Sequence, residues 1–115
     1  MFPQHARAFE EMSGIKRADV LRLAVLYAYG GVYADIDVEA LRPMDPLLVA
    51  AQRARQSVLL GEENVVHTVL LEKRLSKQLV SNAVMASAPR QAFWAKVIQE
   101  IFQHLVACEG LTLHL

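Results

Sequence analysis

The chain has 115 residues, 54% of them hydrophobic and 21% charged, and its twelve basic and twelve acidic side chains cancel to a formal net charge of zero. That composition excludes intrinsic disorder, and the neutral balance leaves no electrostatic footprint for nucleic acid or an anionic membrane surface. The length bounds the chain to at most one small domain, and the single Cys108 excludes an intrachain disulfide. Met1 to Gly14 lacks the apolar core of a signal peptide. The longest apolar run, Leu23 to Ala34, is too short to span a bilayer and contains Gly30-Gly31.

Taken in order, Pro3 to Met12 suits a short helix closed by Ser13-Gly14, with His5 at the surface. The stretch from Lys16 to Leu41 organises the rest. Between Ala18 and Ala34 only Asp19 and Arg22 are charged, so the helix there is apolar on nearly every side and is expected to be buried. Asp19 and Arg22 are three residues apart and share one helix face. Gly30 and Gly31 end the helix, because glycine accepts left-handed backbone. Val32 to Val38 follows as a strand. Its alternation sets Tyr33, Asp35 and Asp37 on one face and Val32, Ala34, Ile36 and Val38 on a core face.

Glu39 to Pro46 reads as irregular, with Asp45 as N-cap and Pro46 opening a helix from Leu47 to Arg55. Ser57 to Leu60 suits a short buried strand, and Gly61-Glu62-Glu63-Asn64 a polar turn. Val65 to Leu75 suits a helix, near which His67 and Glu72 show no metal-ligand spacing. Gln78 to Ala86 reads as a core strand carrying Asn82, and Ser87-Ala88-Pro89 breaks it. Gln91 to Ala107 reads as a helix with Phe93, Val97, Ile101 and Leu105 along one stripe. Leu111 to Leu115 alternates like a strand cut short or just begun. Helices and strands thus alternate, and the expected fold class is an α/β layered domain.

Two carboxylates at spacing two suit a hard divalent cation, which takes oxygen ligands and, for Mg²⁺, one or two carboxylates plus water and phosphate. A pair of solvated aspartates at a strand end is the plain alternative. The setting argues for the site: an Asp-x-x-Arg helix, Gly-Gly, an aromatic and then Asp-x-Asp. Glu62 and Glu63 fit two solvated loop acids better than a third ligand, and Phe93 and Trp94 fit packing better than sugar stacking.

Asp19-Val20-Leu21-Arg22, Leu26-Tyr27 and Gly30-Gly31-Val32-Tyr33-Ala34-Asp35-Ile36-Asp37 resemble the sugar-binding and Asp-x-Asp region of family-32 glycosyltransferases. That set includes fungal initiating mannosyltransferases, mannosyltransferases of inositol phosphoceramide and, more distantly, glucosylating clostridial toxins. The likeness is closest over Ile15 to Leu48, with a weaker echo from Ser81 to Val97. It implies part of a glycosyltransferase-A (Rossmann-like) fold that moves a hexose (mannose, glucose, galactose or N-acetylglucosamine) with retention of configuration. The implied donor is GDP-mannose or a UDP-hexose, and the implied acceptor a glycan, glycolipid or protein. Mn²⁺ or Mg²⁺ would sit on Asp35 and Asp37, Tyr33 and Asp35 would meet the nucleotide, and Asp19, Arg22 and Asn82 the donor sugar. No nucleophile or catalytic base is identified.

Two other readings stand beside it. A haloacid-dehalogenase-type phosphatase also begins with Asp-x-Asp, but wants Thr or Val where Glu39 stands and a later acidic pair that is not found. An inactive or partner-binding piece of a transferase domain is the nearer alternative. In the resembling family, base-binding strands precede the Asp-x-Asp, whereas Met1 to Gly14 holds no credible buried strand. The chain is therefore expected to be part of a catalytic domain, aggregation-prone and inactive when isolated. The base, the acceptor and the compartment stay open.

Overall fold

The computed structural model of the chain describes residues 3–63 and 79–112, with residues 106–112 for their backbone alone. The expected helix over Val65 to Leu75, with His67 and Glu72, lies outside them. The chain divides into two compact units: the segment up to Gly30 together with that from Pro89, and Gly31 to Ala88.

In the first unit a 3₁₀ turn at Pro3–His5 leads into α1 (Ala6–Glu11), and α2 runs from Gly14 to Tyr29. Ser13 therefore opens α2 as its N-cap and Gly14 is helical, one step beyond the expected stop. The last helix, α4 (Ala92–Thr112), packs on α2. Val20, Leu23 and Leu26 of α2 are buried, as are Trp94, Ile98 and Phe102 of α4. The latter three are spaced i, i+4, i+8 and form one stripe. This corrects the expected stripe by one residue: Phe93 is exposed, and Phe93, Val97, Ile101 and Leu105 line an open groove of about 790 Å³ instead. The helix also continues through Leu111 and Thr112, where a strand was expected. His5 is not a plain surface residue; its ring stacks on Phe102, 4.2 Å between centroids and 4° from parallel.

A second correction concerns α2, which is not buried all round. Leu21 and Val25 are about half exposed and Tyr29 is 79% exposed, on the side away from Val20, Leu23 and Leu26. Its C-terminus ends as expected: the Gly30 N–H donates to the Leu26 carbonyl at 2.9 Å, and Gly30 and Gly31 have φ of 66° and 95°. An L side chain rarely adopts that backbone.

The second unit is a three-stranded antiparallel sheet in the order β1-β3-β2, made of β1 (Gly31–Ala34), β2 (Val58–Glu62) and β3 (Val80–Ser87). Mixed helix and sheet agree with the α/β expectation; among the described residues the strand pairing is antiparallel, unlike a parallel Rossmann sheet. Gly61 and Glu62 belong to β2 rather than to a turn. The register jumps between Leu60, which pairs with Met85, and Gly61, which pairs with Ser81. Residues 82–84 consequently have no partner in β2, a bulge that bends β3 locally. Gly61 suits it: a Cβ there would lie 3.2 Å from the Val84 carbonyl oxygen.

Helix α3 (Asp45–Arg53) starts two residues before the expected Leu47. Met44, not Asp45, is its N-cap, since the Met44 carbonyl accepts the first helical bond from Leu48 at 3.0 Å. Pro46 is tolerated because the first N–H groups of a helix have no partner within it. At the other end the Arg55 N–H donates to the Gln52 carbonyl and the Gln56 N–H to that of Ala51, with Arg55 at φ 55°. That is the Schellman arrangement, with arginine in the place glycine usually takes.

Candidate functional site

Strand β1 delivers the chain to Ala34, and one more sheet-like bond follows, from the Asp35 N–H to the Ala83 carbonyl at 2.8 Å. The chain then turns. The Asp35 carbonyl accepts the Val38 N–H at 3.0 Å, closing a four-residue turn that contains Ile36 and Asp37. The two carboxylates therefore stand at the carboxyl end of a strand, on a turn rather than along a pleat. This corrects the expected strand from Val32 to Val38, which stops at Ala34, and its core face, because Val32, Ile36 and Val38 are exposed. The reason is local: the Val38 N–H is spent on the turn and cannot extend a ladder.

Tyr33 and Asp35 do share a face. The phenol of Tyr33 donates to Asp35 Oδ1 at 2.6 Å, both residues being half-buried. Distances this short are typical of O–H donors on an ionised carboxylate. Asp37 is exposed to solvent. Asn82 sits in the bulge, one residue from Ala83, and is exposed rather than a core residue.

In the first unit Arg22 Nη2 donates to Asp19 Oδ1 at 2.9 Å. The side chain of Arg22 is only 13% exposed and that of Asp19 45%, so this is not a freely solvated surface pair. Asp19 also lines the α2–α4 groove. The structure thus joins Asp19 to Arg22 and Tyr33 to Asp35. The first pair belongs to one compact unit, and Asp35, Asp37 and Asn82 to the other.

Among the described residues no three His, Cys, Asp or Glu side chains gather into a metal cage. Glu62 is exposed, and the Glu63 backbone N–H pairs with the Leu79 carbonyl at 2.8 Å. The donor pair expected from the sequence is Asp35 and Asp37, and two carboxylates suit the coordination of Mg²⁺, which takes one or two carboxylates together with water and phosphate, rather than an all-protein cage. Among the described residues no helix is long and apolar enough to cross a membrane. The turn and the bulge escaped sequence reasoning; the isolated Gly61 inside a strand pattern was the one signal for the bulge.

Residues 3–55 match the family described as glycosyltransferase sugar-binding region containing DXD motif. The chain is 36% identical over 87 residues to mannosyl phosphorylinositol ceramide synthase SUR1 of Saccharomyces cerevisiae, covering 76% of this chain and 18% of that protein. It is 34% identical over 87 residues to inositol phosphoceramide mannosyltransferase 3 of Schizosaccharomyces pombe, covering 76% of this chain and 19% of the relative. Initiation-specific alpha-1,6-mannosyltransferase of Candida albicans is 34% identical over 67 residues, 53% of this chain and 17% of the relative. The matched region thus spans less than a fifth of each of these relatives. No solved structure matches the chain significantly. The Asp-x-Asp at a strand's carboxyl end and the Asp19–Arg22 pair on the preceding helix both fall within the stretch that matches the DXD-containing glycosyltransferase sugar-binding region, and over 87 residues the chain is similar to mannosyltransferases.

Proposed function

We propose that the chain forms the donor-binding part of a hexosyltransferase that takes a sugar from a nucleotide sugar and passes it, with retention, to an acceptor. The single observation that carries this reading is the placement of Asp35 and Asp37 on a tight turn at the end of β1, with Asp37 open to solvent. Mannose is the favoured sugar and a glycolipid the favoured acceptor, because the matched relatives are named for mannosyl transfer, two of them to inositol phosphoceramides. GDP-mannose is accordingly the first donor to test, with UDP-hexoses after it. The whole region is a partial glycosyltransferase-A domain on this reading.

Each side chain has a task. Asp37, and Asp35 beside it, would hold Mn²⁺ or Mg²⁺. When bound, that ion neutralises charge building on the departing nucleoside diphosphate. By resemblance Asp35 would also reach the ribose, the sugar or a metal-bound water. Asp19 and Arg22 hydrogen-bond the donor sugar's hydroxyls, and a guanidinium held by its own carboxylate is oriented before the ligand arrives. Asn82, exposed in the bulge next to the turn, supplies a further amide to the sugar or the diphosphate.

Calorimetry with Mn²⁺ and GDP or UDP tests the metal site. The wild-type chain should bind the metal–nucleotide pair, and Asp37→Asn should abolish that binding while leaving the circular dichroism spectrum unchanged. Undiminished affinity in Asp37→Asn would sink the reading. Release of phosphate from simple esters without any sugar-nucleotide binding would point to a phosphatase instead.

A further inference from the structure

Tyr33 lies in β1 two residues before Asp35, and the pleat turns both side chains to the same side. The result is the hydrogen bond at 2.6 Å from the phenol to Asp35 Oδ1, between two half-buried side chains. The backbone of Asp35 is fixed as well, by its N–H on Ala83 and its carbonyl under Val38. Asp35 is therefore held at its amide, its carbonyl and its carboxylate, whereas Asp37, like Ile36 beside it, is exposed in the turn. The two aspartates of the motif are unequal: one carboxylate is held by a neighbouring side chain and the other is open to solvent.

We propose that Tyr33 is a positioning residue for the cation site, acting through Asp35 rather than by touching the nucleotide. This rests on the functional reading above. A carboxylate fixed by a neighbouring hydroxyl offers its remaining lone pairs in one direction, so the ion meets a preset ligand instead of a rotating one. Partners of this kind, hydrogen-bonded to a ligating side chain, are typically worth 10–100-fold in metal affinity. The phenol is also the only part of Tyr33 that this role needs. The ring alone would serve if Tyr33 stacked on the nucleotide, and that difference makes the two roles separable.

The test uses Mn²⁺ with GDP or UDP, reading free Mn²⁺ by electron paramagnetic resonance and folding by thermal unfolding. Tyr33→Phe keeps the ring and removes one oxygen. It should weaken metal–nucleotide affinity about 10–100-fold with little change in the unfolding midpoint. In an Asp35→Asn background the same substitution should cost nothing further, because the group it positions is already gone. Tyr33→Leu should resemble Tyr33→Phe. Unchanged affinity in Tyr33→Phe overturns the proposal, as does an equal loss in both backgrounds, which would mean that Tyr33 acts directly. A loss seen in Tyr33→Leu but not in Tyr33→Phe assigns the ring to stacking and also overturns it. A wild-type chain that binds no metal–nucleotide pair refutes the functional reading itself, an outcome distinct from the others.

Discussion

The Asp19–Arg22 pair poses a question of purpose. An i, i+3 ion pair on an open helix face contributes only about 0.2–0.5 kcal/mol, yet here the guanidinium side is largely withdrawn from water. If it serves the donor sugar, Arg22→Ala should weaken binding of the sugar nucleotide far more than of the bare nucleoside diphosphate, as measured by calorimetry. Equal losses would assign Arg22 to the phosphates, and no loss would leave the pair a packing device. Gly30 makes a second residue-scale case, at φ 66° and ψ −155°. Gly30→Ala should cost roughly 1–3 kcal/mol in urea unfolding, since only glycine visits that backbone region freely. Both positions were legible in the sequence, the pair from its spacing and the glycine from its place after an apolar helix. The turn at Asp37 was not, because it depends on which carbonyl the Val38 N–H finds, and apart from its two aspartates Val32 to Val38 is made of residues that suit a strand.

At the scale of elements, α4 shows where sequence periodicity stops. Phe93, Val97, Ile101, Leu105 and Trp94, Ile98, Phe102 are both apolar at helical spacing, and nothing in the string ranks one above the other. Packing against α2 decides it, and Ile98 emerges fully buried. Ile98→Ala is expected to cost about 2–5 kcal/mol, whereas Val97→Ala, on the groove side, should cost well under half of that. Urea midpoints of the two variants, compared in one buffer, check the assignment. Strand and helix types were read correctly along most of the described chain. Their ends moved where a cap or a bulge used backbone groups, as at Met44 and Gly61.

At the scale of the whole molecule, exposed apolar surface is the dominant feature. Leu21, Val25 and Tyr29 are exposed on α2, the first two by about half, and Val32, Ile36 and Leu41 are exposed in the second unit. Among the described residues β1 and β2 each pair only with β3, leaving two open strand edges, which invite association. The chain should self-associate as its concentration rises, and replacing Leu21 and Val25 by Lys should lower the apparent mass in light scattering. A wild-type chain that stays monomeric at high concentration would contradict this. The strand order has a further consequence in time. The central strand, β3, is the last of the three to leave the ribosome, so β1 and β2 emerge with no partner to receive them. The carbonyl of Ala83 that anchors the Asp35 amide does not exist until then. A nascent chain paused anywhere before Val80 would carry both aspartates without the Ala83 anchor of the Asp35 amide, and on the functional reading above full competence for the metal would arrive only with β3.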